Sequence, residues 1–181
     1  MPRIPYADET RLSEAAKAQL GNVPANVSRM LAVASEPVFL AFGELGKAFI
    51  NKSSLPPRLR ELAILRVGYL SDSAYETFQH EALGKFVGLS EQQIAAIKAG
   101  DPAADALDQA EAAVLQFVDD IVKNVRASDA TLSAVRNYLD DTQLVDLILV
   151  TGNYMMVCRL LETTGVDEDD EPIDWNAFSR S

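Results

Sequence analysis

The chain contains a single histidine, and acidic residues stand at helical spacing from it. His80 follows Glu76 by four positions and Ser73 by seven, so on one helix the three side chains project to the same side. Tyr75 immediately precedes Glu76. Glu61 lies on the preceding segment, inside an otherwise apolar run and flanked by Leu62 and Ala63. A short connection can fold Glu61 back, antiparallel, onto the Ser73–His80 face. A hydroxyl, two carboxylates and an imidazole then meet in one polar pocket. General acid–base chemistry needs this mixture, groups within mutual reach whose pKa values can be tuned toward neutrality. The same residues also admit plainer readings. A Glu–His pair at i, i+4 on a solvated face contributes only about 0.2–0.5 kcal/mol, and Glu61 can pair with Arg58 or Arg66 on its own helix as surface decoration. One histidine with two carboxylates is a sparse metal set. No metal and no cofactor is expected.

The elements that must hold these residues are helices. Leu59, Leu62, Ala63, Leu65 and Val67 recur at helical spacing after Pro56 and Pro57, with Ser53 or Ser54 as cap, and definition is lost over 68–72. The next helix starts between Ser71 and Ser73 and stops at Gly88. Ser90 and Gln93 form a capping-box pattern for a third, which ends at Gly100. Before this core, the spacing predicts a helix through Leu12, Ala16 and Leu20 capped by Asp8 or Thr10, and two more over 26–35 and 36–50. The last carries Val38, Phe39, Phe42, Leu45, Phe49 and Ile50 as a stripe of core residues. Asp101-Pro102 is the best place for an internal linker, and helices follow over 107–125, 128–139 and from 140 or 141 through Leu161. Gly152 sits inside that last helix at a cost of about 1 kcal/mol against alanine, which points to a close helix crossing or a local irregularity. No run alternates with period two. The fold class is all-α, with one domain over 1–165 and an acidic tail over 166–181 whose Trp175 and Phe178 are expected to dock on the parent core or on a neighbouring subunit.

Composition bounds what such a scaffold can do. Of 181 residues, 48% are hydrophobic and 24% charged, the balance of a globular domain large enough to need no staples. The net charge of −11 repels phosphate backbones and anionic lipid, so neither nucleic acid nor a membrane surface is an expected partner. No segment is expected to approach a membrane span. The start, MPRIPYADE, lacks the apolar core of a signal peptide. A lone cysteine, Cys158 in MMVCRLL, allows no intrachain disulfide and reads as a core residue. A cytoplasmic location is expected.

The run RELAILRVG, then YE-x-x-x-H, then a GLS-capped helix resembles the carboxymuconolactone decarboxylase family, which includes the AhpD-like alkyl hydroperoxidases. The close likeness covers residues 55–97, and a looser one extends to QLVDLILVTGNYMMVCRLL. The resemblance implies an AhpD-like helical bundle that assembles as a homo-oligomer. In the hydroperoxidase branch a glutamate, aligned with Glu61, serves a Cys-x-x-Cys pair and a histidine, aligned with His80. Here Ser73 and Glu76 occupy the two cysteine positions. Serine cannot supply the attacking thiolate, and glutamate cannot resolve a sulfenic acid into a disulfide. Thiol peroxidase activity is therefore not expected. The decarboxylase branch implies a lyase of aromatic-compound catabolism that acts on a small carboxylated or lactone substrate. It loses carbon dioxide through a carbanion that must then be protonated. On that likeness His80 donates or shuttles the proton, Glu61 or Glu76 orients it, and Tyr75 and Ser73 complete the site. Arg58, Arg60, Arg66 or Arg159 would hold the substrate carboxylate. An AhpD-like antioxidant protein with an atypical mechanism and a non-catalytic oligomeric binder of small molecules are the alternatives.

Overall fold

The computed structural model describes residues 1–174, and every regular element among them is helical. Trp175 and Phe178, expected to dock, lie outside the described residues. Among the described residues the chain divides into two compact units, Met1–Lys52 with 160–174, and Ser53–Arg159. The Asp101-Pro102 connection lies within the second unit.

The first unit contains α1 (Glu14–Asn22), α2 (Asn26–Leu31) and α3 (Glu36–Lys52). Asp8 caps only a short 3-10 turn, Glu9–Arg11. The helix expected to begin there is instead capped by Ser13, whose hydroxyl accepts from Ala16 N–H. Ala16, Leu20, Ala32 and Phe39 form a buried cluster. The stripe expected along α3 is only partly a core face. Phe39 and Phe49 are buried, while Val38 and Leu45 are exposed. The acidic run is tied down at its start, since Asp169 accepts from the Asn26 N–H and Asp167 meets the N-terminal ammonium.

The second unit holds α4 (Pro57–Leu70), α5 (Ala74–Phe86), α6 (Glu91–Ala99), α7 (Gln109–Asn124), α8 (Asp129–Val135) and α9 (Asp141–Thr164) as far as Arg159. Its centre is α4, which packs against α5, α6 and α7. Every residue of α4 from Leu59 to Gly68 is buried, charged ones included, so this helix has no solvent face. Good caps bound the helices around it. Ser90 and Gln93 close a reciprocal capping box on α6, Asp108 and Glu111 do so on α7, and Ser128 caps α8. Gly88 and Gly100 take the positive φ expected of helix stops.

The long α9 departs from two expectations. By length and composition it could cross a membrane, a test that the core helix of a globular protein also passes. One of its faces is buried, through Leu144, Leu147, Val150, Thr151, Tyr154, Val157, Cys158 and Leu161. Nor does Gly152 mark a crossing or a break. The helix runs unbroken through it, and a methyl group built there meets nothing within 4 Å among the described residues.

Candidate active site

Two consecutive helices bring the chemistry together. α4 ends at Leu70, and the chain reverses through Asp72, whose φ of 51° is a conformation that aspartate tolerates better than most residues. Gly68 allows the helices to close up. A methyl group there would lie 3.0 Å from Thr77 Cγ2 and 3.5 Å from Glu76 Cγ. With that contact made, Glu61 of α4 faces His80 of α5.

Glu61 is fully buried, and both its oxygens accept hydrogen bonds. Arg60 Nε donates to Oε1 at 2.9 Å, and His80 Nδ1 lies 2.7 Å from Oε2. With Oε1 occupied by the guanidinium, Oε2 is the acceptor for an Nδ1–H, which directs Nε2 toward the other side of the ring. Glu76 Oε1 lies there, 3.1 Å from Nε2. The two atoms are close enough to attract, but the angles miss those of a hydrogen bond. Oε1 is thus buried with no hydrogen-bond partner among the described residues. Tyr154 of α9 closes one side, its ring edge-on to the imidazole at 4.9 Å between centroids and an interplanar angle of 85°.

Burial and charge act differently on each group. Burial pushes the Glu76 carboxyl up to about 7. The Glu61 charge adds to the rise, and His80 opposes it. For His80 burial is the largest single effect and favours the neutral ring, but the carboxylates of Glu76 and Glu61 together outweigh it and raise its pKa. Burial, followed by the two carboxylates, also holds the Tyr154 phenol well above its usual range. The arrangement can therefore store, hold and pass protons near neutral pH, away from bulk solvent. Among the described residues no group of three histidine, cysteine or acidic side chains is arranged to hold a metal ion.

Of the residues singled out by spacing, Glu61, Glu76 and His80 form one contact network, and Ser73 and Tyr75 are buried on the first turn leading to it. The arginines divide. Arg60 reaches the site through Glu61. Arg58 instead binds Glu111, which also accepts from Gln93 and from the Asp108 N–H. Arg66 turns to Asp119 and to the carbonyls of Ile97 and Lys98 at the end of α6. Arg159 is exposed and bonds the Met155 carbonyl of its own helix. These three are engaged away from the imidazole because acidic partners on α7, or a local carbonyl, lie closer. Arg60, expected at a substrate carboxylate, bonds Glu61. Tyr154 lies outside the expected set, because nothing in the sequence of α9 ties it to His80.

Residues 36–120 match the model of the carboxymuconolactone decarboxylase family. Several solved structures share the fold. An uncharacterised peroxidase-related protein with an alkylhydroperoxidase AhpD core, from Ralstonia eutropha JMP134, superposes with a TM-score of 0.81 at 18% identity over 93% of each chain. A protein of unknown function from Agrobacterium tumefaciens, described as a candidate antioxidant defence protein AhpD, gives 0.71 at 24% identity, over 77% of this chain and 96% of that one. The debrominase Bmp8, in complex with 2,3,4-tribromopyrrole, gives 0.73 at 13% identity over 93% and 91%. At these identities the likeness carries the fold alone. No curated protein matches the sequence.

Proposed function

We propose that this chain, which belongs to the carboxymuconolactone decarboxylase family, is a cofactor-free acid–base catalyst that decarboxylates a small lactone or keto acid. The observation that carries the reading is the buried line Glu61–His80–Glu76, with the imidazole between two carboxylates in different states of satisfaction. Arg60 fixes Glu61, Glu61 fixes the ring through Nδ1, and Nε2 is directed toward the reacting carbon. The carbon–carboxylate bond breaks, carbon dioxide leaves, and the electron pair passes into the adjacent carbonyl. His80 then protonates the carbon. Glu76, poised near neutrality, exchanges protons with His80 between turnovers.

Three of the four arginines considered are engaged elsewhere, which favours recognition through the lactone or keto oxygen over a dedicated carboxylate clamp. Thiol chemistry is not part of the proposal. Serine and glutamate stand at the two cysteine positions, and the lone thiol, Cys158, is buried. The same reading makes the protein cytoplasmic and self-associating.

The test is a screen of lactones and β-keto acids for carbon dioxide release. His80→Gln is expected to lower the rate by about 10²–10⁴-fold, the usual reach of a general acid. Equal rates in both proteins would refute the proposal. So would peroxide turnover that survives Cys158→Ser and disappears in His80→Gln.

A further inference from the structure

The imidazole of His80 is pinned at Nδ1, 2.7 Å from Glu61 Oε2, and Arg60 bonds Glu61 in turn, so this anchor is itself held. Nε2 stops 3.1 Å from Glu76 Oε1 at angles that miss a hydrogen bond, and that oxygen is buried with no hydrogen-bond partner among the described residues. Two such groups in a water-poor setting gain by closing the bond, so their neighbours must hold it open. Glu76 is confined by its stem, which packs on α4. Its Cβ and Cγ lie 3.7 and 3.5 Å from where a methyl group on Gly68 would stand. The imidazole is confined by Tyr154, whose ring lies across it at 85° with the centroids 4.9 Å apart. Tyr154 is 9% exposed and its phenol makes no hydrogen bond among the described residues, so the contact is made by the ring and not by the hydroxyl. A perpendicular arrangement of two aromatic rings is a preferred one. Swinging Nε2 into line with Oε1 turns the imidazole about its Nδ1 anchor and gives that arrangement up.

We propose that Tyr154 is a positioning residue, whose ring holds the imidazole at the tilt that keeps the Nε2–Glu76 hydrogen bond open, so that the proton shared by the two groups stays transferable. The inference rests on the acid–base reading above and adds what keeps the site from settling into a closed, less reactive pair. The charged and titratable groups acting on the two rings are Glu61 and Arg60 from α4, Glu76 from α5 and Cys158 from α9. Tyr154 acts on the imidazole by shape, and through it on the proton.

His80 is the only histidine in the chain, so every imidazole resonance in an NMR spectrum belongs to it. Its ring nitrogens and N–H protons are followed over pH in wild type, Tyr154→Phe and Tyr154→Met. Tyr154→Phe keeps the ring and is expected to match wild type. Tyr154→Met fills the space with a chain that imposes no tilt. There the Nε2–H is expected to move downfield and to exchange more slowly with water. The Nε2–Glu76 pair should hold its shared proton about 10-fold more tightly, as for a hydrogen bond gained by a charged group. Carbon dioxide release should fall about 10-fold through kcat in Tyr154→Met and stay unchanged in Tyr154→Phe. A tyrosine with a merely structural role would lower the stability of Tyr154→Met and leave these signals in place, which would overturn the proposal. Faster exchange of the Nε2–H would overturn it too, since water would then stand where the ring was. So would a Tyr154→Phe that behaves like Tyr154→Met. If Tyr154→Met does not fold, wild type and Tyr154→Phe decide. A downfield, protected Nε2–H in wild type would show the bond already closed and overturn the proposal, and its absence from both proteins, with matching titrations, would uphold it. Resonances that change as expected, with no carbon dioxide release from any lactone or keto acid, would leave the role of Tyr154 standing and remove the decarboxylase reading.

Discussion

Glu76→Gln removes the charge that this site is least able to hold. Burial lifts the Glu76 carboxyl from its ordinary 4.5 to about 7, with Glu61 adding to the rise and His80 opposing it. The difference, 7 − 4.5, is about 2.5 units, and at 1.36 kcal/mol per unit it corresponds to about 3 kcal/mol. The sign follows from proton counting. Between about pH 4.5 and 7 the native state keeps a proton that the unfolded chain has released, so stability falls as pH rises through this window. His80 slopes the same way. Its raised pKa contributes stability that is complete below its unfolded value of 6.5 and is lost as pH rises through the native value. In E76Q the carboxyl contribution disappears, and His80 loses one of the two carboxylates that raise it. Urea denaturation at a series of pH values from 4.5 to 8.5 measures the difference. Wild type should lose on the order of 3 kcal/mol more than E76Q across that range. Parallel curves, or a wild type that gains on the variant as pH rises, would refute the assignment of a buried, proton-holding carboxyl.

Arg66→Met should cost about 1–3 kcal/mol in chemical denaturation, because it leaves the carbonyls of Ile97 and Lys98 without their donor and removes one of the two cations on Asp119, Lys123 being the other. Carbon dioxide release per folded molecule should be unchanged, and loss of turnover at full stability would instead return Arg66 to substrate binding. Gly152→Ala should raise stability by about 1 kcal/mol, since the helix is regular there and the added methyl group meets open space. A loss in the same denaturation experiment would reveal a contact over that position. Val145, Ile148, Leu149 and Met156 are exposed at helical spacing along α9, and the proposed self-association is expected to use this apolar stripe. Leu149→Lys should therefore reduce the sedimentation coefficient, and identical values for variant and wild type would remove this face from self-association.

The site was more legible than its setting. Ser73, Glu76 and His80 could be assigned to one face because helical spacing fixes direction within an element, and Glu61 stood out as an acid in an apolar run. Arg60 could not be assigned the same way, because on a helix buried all round, periodicity no longer separates inside from outside. The destinations of Arg58 and Arg66 depended on Glu111 and Asp119, more than fifty residues away by the separation of 53 in each pair. Tertiary packing creates those pairs, and no local pattern encodes them. The α3 stripe shows the converse limit. Val38 and Leu45 fit the period but lie exposed, because periodicity states which residues share a face and not how much of that face is covered.

The two buried carboxylates divide the labour because their surroundings differ. Both Glu61 oxygens already accept hydrogen bonds, one from a guanidinium and one from the imidazole, so moving a proton onto Glu61 would break an arrangement that is complete. Glu76 has an oxygen with no hydrogen bond, 3.1 Å from Nε2, and a pKa lifted into the neutral range. A proton entering or leaving His80 at Nε2 therefore has Glu76 as its near neighbour, while Glu61 keeps the ring oriented through Nδ1. The same asymmetry makes the site costly, because a pair satisfied on both sides would be more stable and less reactive.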